Sequence, residues 1–106
     1  MQQKFEASNF SDADGNPAGG SVRAVGLHID WQNGPLGRGE DRIEPNGAFV
    51  ETVLAAVIQR VEYYNETKFR CRENSLAITH MQEALHWFQH RTADREAREV
   101  EGTHGE

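Results

Sequence analysis

The segment YYNETKFRCREN, residues 63–74, combines aromatic and basic side chains in an otherwise acidic chain. Tyr63 and Tyr64 offer ring faces on which a base can stack, at roughly 1 to 3 kcal/mol per base. The basic side chains that follow can form charge-assisted hydrogen bonds with phosphate; they are Lys68, Arg70 and Arg72. A structural interpretation is equally good: one tyrosine belongs to the core, and the basic residues interact with the negative end of a helix dipole.

A second unusual segment is the loop DWQNGPLGRG, residues 30–39. Trp31 is a possible stacking surface, the amides of Gln32 and Asn33 can recognise base edges, and Arg38 can bind phosphate through two parallel hydrogen bonds. The composition of the loop taken alone favours a structural turn in which Trp31 belongs to the core.

Histidines at helical spacing raise the possibility of a metal site. Glu83, His86 and His90 can share one helix face. Trp87 follows His86, however, where a zinc protease helix requires glutamate. We therefore expect a solvated or interface-lining helix face and no metal.

Catalytic motifs are also missing. The chain has no nucleophile elbow and no Gly-x-Gly-x-x-Gly opening a helix. An enzyme acting on nucleotides would have to use His80, His86 or His90 with Glu83 as acid and base. We expect a protein that is not an enzyme and uses no cofactor.

The overall composition limits the possible partners. The 106 residues carry a formal net charge of −6, which opposes non-specific binding to DNA or RNA polymers. Cys71 is the single cysteine, which excludes an intramolecular disulfide. No apolar run approaches the roughly 20 residues that span a bilayer. These features predict a cytoplasmic protein without a membrane partner, and a chain this short would gain stability from self-association.

Elements that position these residues follow from the hydrophobic pattern. Apolar and other residues alternate in residues 25–31, which predicts a strand, and residues 4–10 are expected to pair with it across the turn-rich segment DADGNPAGG. Asp12 and Asp14 alternate as in a calcium loop, but the closing glutamate is missing, so a simple turn is expected.

Two helices are predicted after Pro45. Asn46 is the expected cap of a helix over about residues 47–68, and Asn74 or Ser75 is the expected cap of a second helix with an apolar stripe that ends near Phe88. We therefore predict an α+β fold in a single domain: a small antiparallel β and loop region (1–45), a long antiparallel two-helix hairpin (46–97) and a flexible tail (98–106).

The segments DWQNGPLG, PNGAFVETVL, YYNETKFRCRENSLAITHMQEALHWFQHRT and VEGTHG resemble the phage anti-Thoeris sponges, the first type of Thoeris anti-defence protein. The helical hairpin of this family is similar to that of phage anti-CBASS sponges. The resemblance implies a phage protein that binds glycocyclic ADP-ribose, a Thoeris immune messenger, in the host bacterial cytoplasm and does not degrade it. It also implies a homo-oligomer, as a dimer or a trimer of dimers, that can hold cyclic di- or trinucleotides at separate sites.

Binding residues are implied by the same resemblance. Tyr64 matches the aromatic residue that packs on the adenine of glycocyclic ADP-ribose, and Asn74 matches the polar residue beside it. Arg38 and Arg91 match arginines that bind cyclic oligonucleotides. Trp31 is a further candidate, and Thr103 and His104 would join a site if the tail closed over a ligand. The residues alone leave one alternative equally open, a non-catalytic oligomeric structural or adaptor module.

Overall fold

The computed structural model describes residues 4–37 and 39–97, which form three strands followed by two long helices and thus confirm the predicted α+β class. These residues belong to two compact units, one that ends at Phe49 and a helical one, Val50–Ala97. The elements are β1 (Glu6–Ser11), β2 (Pro17–Ala24), β3 (Leu27–Trp31), a short 3-10 helix (Gly39–Asp41), α1 (Val50–Asn65) and α2 (Arg72–Ala97).

The three strands form an antiparallel sheet in the order β1-β2-β3. The predicted direct pairing of the first strand with residues 25–31 is wrong, because β2 lies between them. The first half of β2, residues 17–20, was expected to belong to the turn-rich segment. Gly20 pairs with Asn9, and a Cβ atom at this position would collide with the carbonyl oxygen of Ser8. Glycine thus permits the close approach of β1 that makes this segment a strand.

The connection between β1 and β2 confirms the turn predicted at Asp12. Its Oδ1 atom accepts hydrogen bonds from the backbone N–H groups of Asp14 and Asn16, both at 2.9 Å. Gly15 adopts a φ of 83°, which favours glycine. The next reversal begins at Val25, which is 86% exposed and lies in the turn before β3. Its predicted place in the strand is therefore wrong.

The end of β3 is held by residues 46–48. Trp31 forms a parallel bridge with Ala48, whose N–H donates to the carbonyl of Asp30 at 2.7 Å. A Cβ atom at Gly47 would lie 2.6 Å from the carbonyl oxygen of Trp31, so this approach requires glycine.

The predicted capping role of Asn46 is wrong. Its side chain accepts a hydrogen bond from the N–H of Asn33 at 2.7 Å and donates to the carbonyl of Asn33 at 3.1 Å. The side chain is therefore used to close the loop after β3, and the first helix begins later than expected, at Val50.

The two helices confirm the predicted antiparallel hairpin. Near its open end Arg91 of α2 reaches Glu51 at the start of α1, with 3.4 Å between Nη2 and Oε1. At the bend, the Asn65 amide donates to the hydroxyl of Ser75 at 3.0 Å and accepts from the N–H of Cys71 at 3.3 Å. The N–H of Ser75 donates to the carbonyl of Cys71 at 3.3 Å, so α2 already begins at Arg72, and the predicted caps Asn74 and Ser75 lie inside its first turn.

The helical unit buries little of its own apolar surface. Among the described residues Ile58, at 6% exposed, is the one buried hydrophobic side chain. Several large apolar side chains of the hairpin are exposed: Val50, Val57, Phe69, Leu76 and Trp87. In the part of the chain that the structure describes, no helix is long and apolar enough to cross a membrane.

Candidate ligand-binding site at the hairpin bend

Two tyrosines on the last turn of α1 form the aromatic part of the candidate site. The ring centroids of Tyr63 and Tyr64 are 6.2 Å apart, and the rings are inclined by 51°. Both side chains are exposed, at 46% and 40% respectively. Neither tyrosine is therefore a core residue, and both rings present surface on which a base can stack.

Arg60 connects the two rings. It precedes Tyr64 by one helical turn, and its Nε donates a hydrogen bond to the Tyr64 hydroxyl at 3.2 Å. The guanidinium carbon lies over both rings, 5.2 Å from the centroid of Tyr63 and 5.0 Å from that of Tyr64, within cation–π range. The hydrogen bond to Tyr64 is the main reason that the pKa of Arg60 is raised above its usual value.

Sequence reasoning missed Arg60, although the spacing of four residues before Tyr64 was a usable signal, because side chains at this spacing are neighbours on a helix.

The bend adds further positive charge. The Nζ atom of Lys68 lies 5.4 Å from the ring centroid of Phe69. The Nε of Arg70 donates to the carbonyl of Asn65 at 2.8 Å. Among residues 39–97, no carboxylate forms an ion pair with any of four basic side chains: Arg60, Lys68, Arg70 and Arg72. The same stretch, residues 60–73, also carries Glu62, Glu66 and Glu73, so its four cations leave an excess of one positive charge. In a chain with a net charge of −6, this excess favours anions locally.

Asn74, the predicted partner of Tyr64, lies at the same end of the hairpin. Asn65 follows Tyr64 and Ser75 follows Asn74 in the sequence. The side chains of Asn65 and Ser75 are hydrogen bonded to each other across the bend. Asn74 is half-buried on the first turn of α2, and its side-chain amide forms no hydrogen bond with another described residue. The structure thus brings Tyr64 and Asn74 to one region; their roles in binding stay a prediction.

Arg91, predicted to belong to a second site, is distant from this region. It follows Asn74 along α2 by about 25 Å, at about 1.5 Å of rise per residue. Its guanidinium is 5.3 Å from the ring centroid of Phe88 and pairs with Glu51. Arg38, its predicted partner, and the tail residues Thr103 and His104 lie outside the described residues.

The loop after β3 uses its polar groups internally. Oε1 of Gln32 accepts from the N–H of Asn46 at 2.9 Å, and Nε2 donates to the carbonyl of Gly34 at 3.2 Å. Trp31 is half-buried, and its backbone is bridged to Ala48. These contacts support the structural interpretation of Gln32 and leave Trp31 a weaker candidate than the tyrosines.

The histidines of α2 surround an exposed tryptophan. The ring of Trp87 makes edge contacts with His86 and His90, at centroid distances of 5.6 and 5.7 Å. Among residues 4–37 and 39–97, no group of three or more His, Cys, Asp and Glu side chains could hold a metal ion. In the geometry seen here, His86 and His90 contribute ring contacts to Trp87.

A charged group on the sheet was not predicted from the sequence. The Asp30 carboxylate lies 3.0 Å from Nε2 of His28 and 3.5 Å from Nη2 of Arg23. The hydrogen bond with His28 is the main cause that lowers the pKa of Asp30 below its usual value. His28 and Asp30 are two positions apart and therefore lie on one face of the strand. This spacing was the feature of the sequence from which their contact could have been predicted.

Comparison with known proteins agrees with the resemblance noted from the sequence. The family model described as "Acb2/Tad1, hairpin domain" matches residues 23–93, which include β3, α1, the bend and α2 as far as residue 93. The protein "Thoeris anti-defense 1" of Bacillus phage SBSphiJ7 is 52% identical over 76 residues, which are 72% of this chain and 51% of that protein. The chain thus spans about half the length of this relative. Because the matched region covers more than half of the chain, the chain belongs to the Acb2/Tad1 hairpin domain family.

Proposed function

We propose that this protein is a phage anti-defence protein that binds a cyclic nucleotide immune signal and sequesters it without degrading it. Glycocyclic ADP-ribose is the proposed ligand of the bend site, with Tyr64 packing on its adenine and Asn74 beside Tyr64 in the pocket. The observation that carries the proposal is the pair of exposed tyrosines in contact with Arg60, at a bend that also carries Lys68, Arg70 and Arg72. The name of the phage relative supports the anti-defence role.

This combination of groups fits the chemistry of the ligand. Glycocyclic ADP-ribose carries an adenine, which stacks on an aromatic ring, and a pyrophosphate, which needs positive charge. Nanomolar affinity corresponds to about 12 kcal/mol, more than one exposed stacking contact provides. Several charge-assisted hydrogen bonds must therefore contribute, and a second copy of the chain can enclose the ligand further.

Self-association is part of the proposal, as a dimer or a trimer of dimers. Apart from Ile58, the large apolar side chains of the described hairpin are not fully buried. Burial of apolar area contributes roughly 25 cal/mol per Å². Covering Val57, Leu76 and Trp87 with another copy would therefore stabilise the assembly. In such an assembly Arg38 and Arg91 are proposed to bind cyclic di- or trinucleotides of the kind used in CBASS signalling, separately from the bend site.

A direct experiment measures both capture and fate of the ligand. Purified protein is mixed with glycocyclic ADP-ribose in slight molar deficit, the protein is removed by ultrafiltration, and the filtrate is assayed. The retained protein is then heated, and the released compound is analysed by mass spectrometry. Depletion followed by release of the intact ligand supports sequestration. Release with a changed mass would instead mean an enzyme, and no depletion would reject glycocyclic ADP-ribose as the ligand.

A second candidate function is an oligomeric structural or adaptor module, which the exposed apolar side chains of the hairpin favour. Light scattering after size-exclusion chromatography, combined with the capture experiment, separates the two. An adaptor would assemble and leave glycocyclic ADP-ribose and cyclic oligonucleotides in the filtrate.

A further inference from the structure

Arg60 differs from other arginines of the structure in the groups that contact its guanidinium. Arg23 and Arg91 form ion pairs with carboxylates, and Arg70 donates to a backbone carbonyl. Arg60 is held by an aromatic pair instead, through the bond from its Nε to the Tyr64 hydroxyl and its position over both tyrosine rings.

The hydrogen-bonding capacity of Arg60 is largely unused. A guanidinium has five N–H donors. Only the one on Nε is engaged with a described residue, so the donors of Nη1 and Nη2 are available. These two nitrogens form the planar fork that matches two oxygens of a phosphate. A guanidinium is charged at any physiological pH, so this fork carries positive charge toward a phosphate.

We propose that Arg60 is a further ligand-binding residue of the bend site and binds a phosphate of the nucleotide whose base stacks on Tyr64. The inference rests on the proposed function. The Tyr64 hydroxyl orients the guanidinium before the ligand arrives, so little side-chain freedom is lost when the phosphate binds. One tyrosine thus serves both parts of the nucleotide, its ring for the base and its hydroxyl for the residue that binds the phosphate.

Calorimetric titration with glycocyclic ADP-ribose at several NaCl concentrations tests this assignment. We expect Arg60→Ala to raise the Kd about 10- to 100-fold, the range typical of a hydrogen bond between charged groups. Arg60→Lys should retain part of the affinity, and Arg60→Gln should resemble alanine, because phosphate binding requires the charge. The salt dependence of binding should be weaker in Arg60→Ala than in the wild type.

Lys4→Ala is the matched control, because it removes one positive charge at an exposed position before β1. Its Kd and salt dependence should remain close to those of the wild type. A role for Arg60 limited to orienting Tyr64 would appear as equal losses in Arg60→Lys and Arg60→Gln with unchanged salt dependence. That result, or a Kd of Arg60→Ala within about twofold of the wild type, would overturn the inference.

The same titrations separate this inference from the proposed function. Wild-type protein that fails to bind glycocyclic ADP-ribose counts against the proposed function. The variants would then be compared with linear ADP-ribose, which has the same adenine and pyrophosphate, and the same criteria would decide the role of Arg60. Wild-type protein that binds neither compound overturns both proposals. Helix content measured by circular dichroism confirms that each variant is folded.

Discussion

Replacing Tyr64 with alanine removes a stacking surface and the anchor of Arg60 in one step. Loss of base stacking costs roughly 1 to 3 kcal/mol. Arg60 also loses the ring that orients it for the ligand, which adds about 0.5 to 1 kcal/mol, the strength of a cation–π contact at an exposed site. The sum of about 1.5 to 4 kcal/mol corresponds to a Kd for glycocyclic ADP-ribose that is about 10- to 700-fold higher.

The effect on folding should be much smaller than the effect on binding. Tyr64 is 40% exposed and lies in the last turn of α1, so its truncation leaves no buried cavity. We expect the free energy of unfolding to fall by less than about 1 kcal/mol. Isothermal calorimetry measures the Kd at 25 °C, and urea denaturation followed by circular dichroism measures the stability.

Two companion variants make the test specific. Tyr64→Phe keeps the ring and removes the hydroxyl, so the Kd should rise only about 2- to 10-fold, the range of a single hydrogen bond. Tyr63→Ala removes a ring of equal size from the same turn, but this ring forms no hydrogen bond with Arg60. It should weaken binding less than Tyr64→Ala. The reasoning is refuted if Tyr64→Ala binds within about threefold of the wild type, or if Tyr63→Ala is the more damaging change.

Three further predictions follow from other parts of the structure. Arg91→Ala should change the free energy of unfolding by no more than about 1 kcal/mol in urea denaturation, because Arg91 and Glu51 form a surface ion pair. The same variant should weaken binding of cyclic oligonucleotides and leave binding of glycocyclic ADP-ribose unchanged. Equal loss of binding for both ligands would contradict the two-site proposal. Asn65→Ala should lower the free energy of unfolding by about 1 to 3 kcal/mol in the same assay, since two hydrogen bonds of the bend are lost; wild-type stability would show that the bend does not need them. The lowered pKa of Asp30 means that its carboxylate stabilises the fold above its unfolded pKa of about 3.8, and this stabilisation is lost as the pH falls through the lower folded value. NMR titration of this carboxyl should give a pKa that rises toward 3.8 in His28→Ala; an unchanged pKa would exclude His28 as the main cause.

Local sequence patterns predicted the helices well and the sheet only in part. The helical spacing of apolar residues after Pro45 predicted the hairpin, because this spacing reports a property of each helix alone. Strand β2 was missed because its glycines suggested a turn, and its formation depends on the carbonyl of Ser8 in another strand. The N-terminus of α1 was misplaced for a related reason, since Asn46 bonds to Asn33 far away in the sequence.

In the candidate site, too, residues close together in the sequence were predicted and a contact that depends on the folded helix was missed. Tyr64 and the basic residues of the bend were found from composition, since they lie in one continuous segment. Arg60 was missed because it lies outside that segment, four positions before Tyr64, and contacts the tyrosine only through the turn of the helix.

The hydrogen bonds inside the bend also have a kinetic consequence. The side chains of Asn65 and Thr67 bond to backbone groups within a short stretch of sequence. Such local contacts favour a site that is ordered before the ligand arrives, and association with such a site need not wait for a conformational change. A protein that removes a messenger competes in time with the messenger's receptor. For such a protein the rate of capture matters as much as the final affinity, and a bend that is ordered in advance favours fast capture.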